Sequence, residues 1–129
     1  MADLVVDDAV LFAFIEVESA FNPRAFLNDR NGGSYGLMQL DYQTALDRGY
    51  RGDPIGLYAP LANVGMGKKV LRWIAAELES HGRQATLETV AAAYNSGLGH
   101  VLRGGTDAPY AEKIAAAHAR WSSALRDGD

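Results

Sequence analysis

Apolar residues recur at intervals of three and four in four stretches of the chain, which is the spacing of one face of an α-helix. The first stretch covers residues 6–19. Asp7 or Asp8 is suitably placed to cap its N-terminus, and Pro23 lies just beyond its end, where the residue before a proline avoids helical dihedrals. We therefore expect a first helix that ends shortly before residue 22.

Three further helices are predicted, over about residues 60–81, 87–94 and 109–125. Pro60 is a favoured first helical residue, and Gly82 is a favoured residue after a helix end. Two glycines, Gly65 and Gly67, lie inside the longest of these helices, where glycine lowers helix stability. Their presence predicts close packing against a neighbouring element.

The segment after the first helix has a different character. Residues 27–40 show no helical period, and the turn-forming run Asn-Gly-Gly-Ser occupies residues 31–34. A loop or small hairpin is expected here, followed by a short helix over residues 41–48 that Gly49 ends. The prediction is an all-α fold with a small irregular or β-hairpin insert, in a single domain over residues 1–129.

The composition excludes several classes of protein. With 129 residues, 48% of them hydrophobic, the chain is long enough for one domain with a sizeable core. It has no cysteine, and its three histidines show no ligand spacing with carboxylates, so neither a disulfide nor a metal site is expected. A net charge of −4 without a basic stripe argues against nucleic acid as a partner.

The N-terminus and the apolar runs bear on location. The first eight residues are acidic where a secretory signal would be basic, and no apolar run approaches the length that spans a membrane. We therefore expect synthesis in the cytoplasm without a signal peptide, and no membrane insertion.

Glu18 stands out among the polar residues because it ends an apolar stretch. On a helical wheel it falls among apolar residues such as Phe14 and Ile15, whereas Glu16 points to the opposite side. Burial and the partial negative charge of a helix C-terminus both disfavour a carboxylate, so we expect the pKa of Glu18 to be raised towards that of a general acid. The alternative is a glutamate that reaches solvent or pairs with a nearby arginine.

Three segments occur in order along the chain: Glu-Ser-Ala-Phe-Asn-Pro at residues 18–23, Gly-Leu-Met-Gln at 36–39 and Ala-Tyr-Asn-Ser-Gly at 93–97. Together they resemble the soluble lytic transglycosylases and the goose-type lysozymes, relatives that cut the glycan strands of peptidoglycan. The resemblance covers roughly residues 10–120. It implies a lysozyme-like helical fold, no cofactor, and peptidoglycan glycan strands as the substrate.

The resemblance also implies roles for particular residues. Glu18 occupies the position of the family's general acid. Gln39 would bind sugar, Tyr94 would lie near the acid, and Asn95 would contact an N-acetyl sugar. Tyr110 stands where the family often has a tyrosine in the substrate groove. Serine follows Asn95 where alanine is common. From the residues alone, a core tyrosine at 94 and a helix-capping asparagine at 95 remain open.

Two reactions are compatible with the resemblance. A lytic transglycosylase lacks a second carboxylate, and the muramic acid 6-hydroxyl attacks to give a 1,6-anhydro end. An inverting goose-type lysozyme adds a carboxylate, about 6.5–9.5 Å from the acid, that positions water. Asp41 and Asp29 are the candidates for it, although Asp29 is offset by one residue from the goose-type spacing and Asp41 is also suited to cap a helix. The residues around Glu18 favour the transglycosylase.

A protein of another class, a non-catalytic peptidoglycan-binding or virion structural component, remains an alternative, and chitin remains an alternative substrate. Glu18 and Tyr94 argue against a pure binding protein, because binding alone requires neither. The small size and the lack of a signal suggest a monomeric phage-type lysis enzyme (endolysin) or virion-associated enzyme, which reaches the cell wall after release or within a phage particle. A domain cut from a longer secreted protein would have the same features.

Overall fold

The computed structural model describes residues 4–29 and 32–127. In chain order, the elements in these ranges are α1 (Asp8–Ser19), β1 (Phe26–Leu27), β2 (Ser34–Tyr35), β3 (Leu40–Asp41), α2 (Tyr42–Asp47), a 3-10 helix (Pro54–Tyr58), α3 (Pro60–Ser80), α4 (Leu87–Ser96), α5 (Leu98–Leu102) and α6 (Ala108–Asp127). The predicted fold class is confirmed, since helices predominate and the strands form one small insert. Among the described residues, no helix has both the length and the apolar character required to cross a bilayer.

Residue contacts divide the chain into two compact units. The central unit is Phe14–Val70, and the terminal unit comprises the residues up to Ala13 together with those from Leu71 onward. The division falls within α1 and within α3, so each of these helices contributes residues to both units. That residues 1–129 form a single domain remains a prediction.

The central unit contains the β insert. β1 pairs with β2 and β2 with β3, both antiparallel, and Ser34 lies opposite Asp41 in the second pair. The expected loop or hairpin is therefore a three-stranded sheet built from two-residue strands. The core of this unit consists of side chains with almost no exposure: Phe14, Met38, Leu40, Ala45, Leu57 and Asn63.

In the terminal unit, α4 packs against α5 and α6. α4 begins with a capping box, in which Thr89 N donates to Thr86 Oγ1 at 3.2 Å and Thr86 N donates to Thr89 Oγ1 at 3.0 Å. Arg83 donates to the carbonyl oxygens of Val101 and Leu102, at 3.2 and 2.8 Å, and so binds the α3–α4 loop to the end of α5. The largest fully buried side chains among the described residues of this unit are Val10, Leu71, Leu78, Val90 and Ile114.

Local residues, namely a capping aspartate, a proline and a glycine, set several of the helix boundaries. Asp7 caps α1, because its Oδ1 accepts a hydrogen bond from Val10 N at 3.0 Å. α3 begins at Pro60, as expected. α4 continues to Ser96, beyond the expected residue 94, because the chain leaves the helix only at Gly97, where φ is +99°.

Two short helices were not expected from the sequence. The 3-10 helix and α5 are each 5 residues long, too short for an apolar repeat to become visible. The 3-10 helix depends on a local cap instead: Asp53 Oδ1 accepts a hydrogen bond from Gly56 N at 3.0 Å, and Pro54 occupies the first position.

Candidate active site

Glu18 is the penultimate residue of α1 and is half-buried. Glu16 is half-buried as well, so exposure does not separate the two glutamates as clearly as the helical wheel suggested. The last turn of α1 contains no basic residue. No cation within the helix therefore offsets the partial negative charge of its C-terminus beside Glu18.

The chain turns sharply directly after Glu18 and Ser19. Ala20 and Phe21 have φ values of +51° and +63°. This is the left-handed region, where an L-residue costs about 1–2 kcal/mol. Asn22 N donates to Ser19 O at 3.0 Å and closes the turn. Backbone strain of this kind concentrates at functional sites, and here it lies next to the predicted acid.

Hydrogen bonds join this turn to the Gly-Leu-Met-Gln segment. The Ser19 hydroxyl donates to the carbonyl oxygen of Leu37 at 2.7 Å, and Gly36 N donates to Ala25 O at 2.8 Å. Gln39 Nε2 donates to the carbonyl oxygens of Ala25, at 3.0 Å, and of Gly36, at 3.1 Å. Gln39 therefore connects the backbone at Ala25 with the backbone at Gly36, in addition to any contact with sugar.

Asn63 of α3, which is not among the residues predicted from the sequence, supports the same segment from within the core. Its side chain has no exposure and makes three hydrogen bonds. Oδ1 accepts from Met38 N at 2.8 Å, while Nδ2 donates to Tyr35 O at 2.7 Å and to Leu57 O at 2.8 Å. A signal was present: Asn63 lies seven residues before buried Val70, on the apolar stripe of α3, and a buried amide there must find partners.

Glycines allow close approach around this amide. Gly36 has a φ of +76°, and a Cβ there would lie 2.5 Å from Asn63 Nδ2. Gly67 of α3 is covered by the sulfur of Met38, which confirms the predicted close packing at that residue. At Gly65 the prediction is wrong, because nothing lies within 4 Å of where a Cβ would stand.

The two candidate aspartates lie on either side of Ser34 in the β insert. Asp29 uses both carboxylate oxygens: Oδ1 accepts from Gly33 N at 3.0 Å, and Oδ2 accepts from Ser34 Oγ at 2.5 Å. Asp41 accepts at Oδ2 from Thr44 Oγ1 at 2.8 Å. Its Oδ1 is buried, and no hydrogen bond from the described residues reaches it. Asp41 precedes α2 as expected of a cap, yet its side chain bonds no backbone N–H there.

In the terminal unit, a carboxylate joins the end of α4 to the start of α6. Asn95 Nδ2 and Ser96 Oγ both donate to Asp107 Oδ2, at 2.7 Å each. Tyr110 N lies 3.4 Å from Asp107 Oδ1, which caps α6. Tyr94 is half-buried and Tyr110 is buried. Asp107 is not among the residues predicted from the sequence, although an aspartate directly before a helix is a capping signal.

These contacts favour the charged form of Asp107. The hydrogen bond from Asn95, followed by that from Ser96, lowers the pKa of the Asp107 carboxyl from its ordinary value. Desolvation acts in the opposite direction and raises this pKa, whereas the nearby His100 lowers it further. The group is therefore a carboxylate at neutral pH, and a carboxylate only accepts hydrogen bonds.

A cavity of about 420 Å³ lies beside Asp107, bordered by α4, α5 and α6. Small apolar side chains form much of its wall: Ala92, Val101, Ala108, Ala111 and Ala115. Glu88 and Glu112 are the other carboxylates that line it. Among the described residues, no group of three or more His, Asp or Glu side chains is arranged to hold a metal ion.

The transglycosylase SLT domain family matches residues 3–116, a range that includes every predicted site residue. The chain belongs to the transglycosylase SLT domain family. Members of this family are lytic transglycosylases, enzymes that cleave glycan strands, and peptidoglycan is their substrate. The resemblance seen in the three sequence segments is thereby confirmed.

The predicted residues of this SLT domain fall in both units. The central unit contains Glu18, Asp29, Gln39 and Asp41, and the terminal unit contains Tyr94, Asn95 and Tyr110. In the central unit, hydrogen bonds connect Gln39 with the loop that follows Glu18. In the terminal unit, Asp107 connects Asn95 with the backbone of Tyr110. The individual roles of the seven residues remain predictions.

Proposed function

We propose that this SLT domain cleaves the β-1,4 bond between N-acetylmuramic acid and N-acetylglucosamine as a lytic transglycosylase, with Glu18 as general acid and then as general base. The position of Glu18 carries the proposal. It is the penultimate residue of α1, within the matched range, and it lies just before a strained turn that hydrogen bonds join to the Gly-Leu-Met-Gln segment. A carboxyl at a helix C-terminus suits proton donation, because the helix end disfavours the charged form.

The proposed reaction needs one carboxyl group and consumes no water. Protonated Glu18 donates its proton to the glycosidic oxygen as the bond from C1 to that oxygen breaks, and the N-acetyl group of the muramic acid assists departure. The Glu18 carboxylate then takes the proton of the 6-hydroxyl as O6 bonds to C1. The products are a 1,6-anhydro-muramyl end and a free 4-hydroxyl on N-acetylglucosamine.

We assign substrate binding to Gln39, Tyr94, Asn95 and Tyr110. Gln39 donates to backbone carbonyls through Nε2, so it would meet a sugar hydroxyl through Oε1, an acceptor. Asn95 is exposed at the end of α4 and free to meet an N-acetyl group through the side of its amide that does not face Asp107.

A second candidate function, hydrolysis by an inverting lysozyme-type mechanism, is favoured by one observation. Asp41 Oδ1 is a buried acceptor that no hydrogen bond from the described residues reaches. Such an oxygen can bind and orient a water molecule, which an inverting enzyme requires. Asp29 is the weaker candidate, because Gly33 and Ser34 already occupy both of its oxygens.

The test is mass spectrometry of the soluble products from purified peptidoglycan digested by the wild type and by Glu18→Gln. Glutamine keeps the size of the side chain but cannot donate the proton, so we expect product formation to fall by about 10²–10⁴-fold. Glu16→Gln is the matched control, from the same helix and similarly half-buried, and should keep the wild-type yield. Wild-type yield from Glu18→Gln would show that another group is the acid.

The chemistry of the product ends separates the two reactions. Anhydro-muramyl ends from the wild type, with the same ends from Asp41→Asn, support the transglycosylase. Ordinary reducing ends, lost in Asp41→Asn, support the hydrolase. Binding to peptidoglycan without new ends of either kind would indicate a non-catalytic wall-binding or virion component, and digestion of chitin alone would indicate a different polymer.

A further inference from the structure

Asp107 divides its two carboxylate oxygens between two helices. Oδ2 accepts from Asn95 Nδ2 and from Ser96 Oγ, the last two residues of α4. Oδ1 faces the N–H of Tyr110, in the first turn of α6. One side chain thus does two things: it caps α6, as many aspartates do, and it holds the exposed amide of Asn95.

These bonds determine which way the Asn95 amide points. A carboxylate offers no proton, so the amide must direct Nδ2 at Asp107, and its oxygen Oδ1 must then face away from Asp107. No hydrogen bond from the described residues reaches that Oδ1, and the side chain is exposed at the end of α4. Asn95 is therefore presented to an incoming molecule as a hydrogen-bond acceptor.

The segment that carries Asp107 is itself held in place. The ring of His100 lies against Gly105, and its Nε2 is 3.0 Å from the carbonyl oxygen of Thr106, the residue before Asp107. Arg83 donates to the carbonyl oxygens of Val101 and Leu102 at the end of α5, where the segment that leads to Asp107 begins. The carboxylate is thus an anchored partner for Asn95 rather than a mobile one.

We propose that Asp107 is a positioning residue for substrate binding: by engaging Nδ2 of Asn95, it presents Oδ1 of that amide to an N–H or hydroxyl donor of the glycan, such as an acetamido N–H. Ser96 strengthens the arrangement, because its hydroxyl engages the same carboxylate oxygen. This inference rests on the proposed function, since it requires that Asn95 contacts the glycan. Asp107 itself touches no reacting atom.

The test must separate positioning from helix capping. Asp107→Ser keeps a good capping residue before α6 but is too short to reach Asn95. Asp53→Ser is the matched control: Asp53 likewise caps a helix, the 3-10 helix, and its Oδ1 accepts a hydrogen bond from Gly56 N at 3.0 Å. Both variants are measured as the full chain, in the wild-type background and, for Asp107→Ser, also combined with Asn95→Ala.

The first readout is kinetic, on soluble peptidoglycan strands. We expect Asp107→Ser to lower kcat/KM by about five- to ten-fold, mainly through KM, as for the loss of one oriented hydrogen bond. Asp53→Ser should keep the wild-type value. In the Asn95→Ala background, Asp107→Ser should cause no further loss, because its effect passes through that amide. An equal loss in both backgrounds, or no loss in the wild-type background, would overturn the proposal.

The second readout does not depend on activity. Side-chain amide resonances of Asn95 in a proton–nitrogen NMR spectrum should show one strongly hydrogen-bonded proton that disappears in Asp107→Ser and persists in Asp53→Ser. An active enzyme whose Asn95 resonances are the same in Asp107→Ser would refute the positioning role alone. A wild type that releases no product, with the hydrogen-bonded resonance intact, would refute the proposed function and, with it, any positioning role in catalysis.

Discussion

Side-chain amides make hydrogen bonds that fix local structure in both units. Asn63 makes three hydrogen bonds from a fully buried position, Gln39 bridges two loops through one nitrogen, and Asn95 engages a carboxylate. Two of these three amides belong to the segments that resemble the family. Substitution of Gln39 therefore changes the loop as well as any contact with sugar, and a loss of activity there needs a stability measurement beside it.

The buried amide of Asn63 provides the clearest test at this scale. Asn63→Ala removes the hydrogen bonds that the amide makes with Met38 N and with two carbonyl oxygens. Each buried unsatisfied group costs about 1–3 kcal/mol, so we expect a loss of about 3 kcal/mol or more in the free energy of unfolding. Asn28→Ala, at an exposed position, should change it by less than about 0.5 kcal/mol. Urea denaturation measures both, and similar small losses would contradict the role of Asn63.

How far single residues can be predicted depends on where their partners lie in the chain. A cap at Asp7 or Asp8 could be predicted from the local sequence, and the structure shows Asp7 bonded to Val10 N, only three residues away. The partners of Asn63 lie up to 28 residues away, so no local pattern contains them. Asp107 combines both cases, since its contact with α6 is local while its contacts with Asn95 and Ser96 cross α5.

Secondary-structure elements show a similar division by length. The helices of ten or more residues, α1, α3, α4 and α6, display enough turns for the apolar period to predict them. The 3-10 helix and α5 follow from caps and neighbouring glycines rather than from periodicity. The β insert was expected only as a loop or hairpin, because two-residue strands are too short to show alternation.

The long helix α3 allows a paired test of the two glycines within it. Gly65→Ala adds a methyl group in open space and should raise the free energy of unfolding by about 0.5–1 kcal/mol, the difference in helix propensity. Gly67→Ala pushes on the buried side chain of Met38 and should lower the free energy of unfolding by about 1–3 kcal/mol. Thermal unfolding of both variants decides the matter. Stabilisation by Gly67→Ala would mean that Met38 repacks freely.

Across the molecule, acidic residues outnumber basic ones, 16 to 12, so protonation of carboxylates is the main charge change on acidification. The pKa of the Asp107 carboxyl is lowered in the folded protein. Its charged form therefore stabilises the folded state at pH values above the ordinary aspartate pKa. That contribution disappears as the pH falls through the lowered value.

We expect the difference in melting temperature between the wild type and Asp107→Ser to be largest near neutral pH and to shrink as the pH approaches 3. Ser96→Ala, which removes one of the two donors to Oδ2, should show a smaller difference with the same trend. Solvent limits the size of both effects, because Asp107 is partly exposed. Among the described residues, the ionisable side chains near Asp107 include His100 of α5, Glu88 of α4 and Glu112 of α6. If the difference in melting temperature grew on acidification, the pKa of Asp107 would be raised rather than lowered in the folded protein.

The division into units has a consequence for how the chain is made. The central unit is one continuous segment, and its synthesis is complete once Val70 has been added. The terminal unit, in contrast, needs residues from both sides of that segment. Val10 is buried in that unit, and Leu4 N donates to Ala85 O at 2.8 Å. Both must wait for residues from Leu71 onward before they can pack. We therefore expect the first half of α1 to remain incompletely packed until those residues are made, which leaves it accessible to a chaperone.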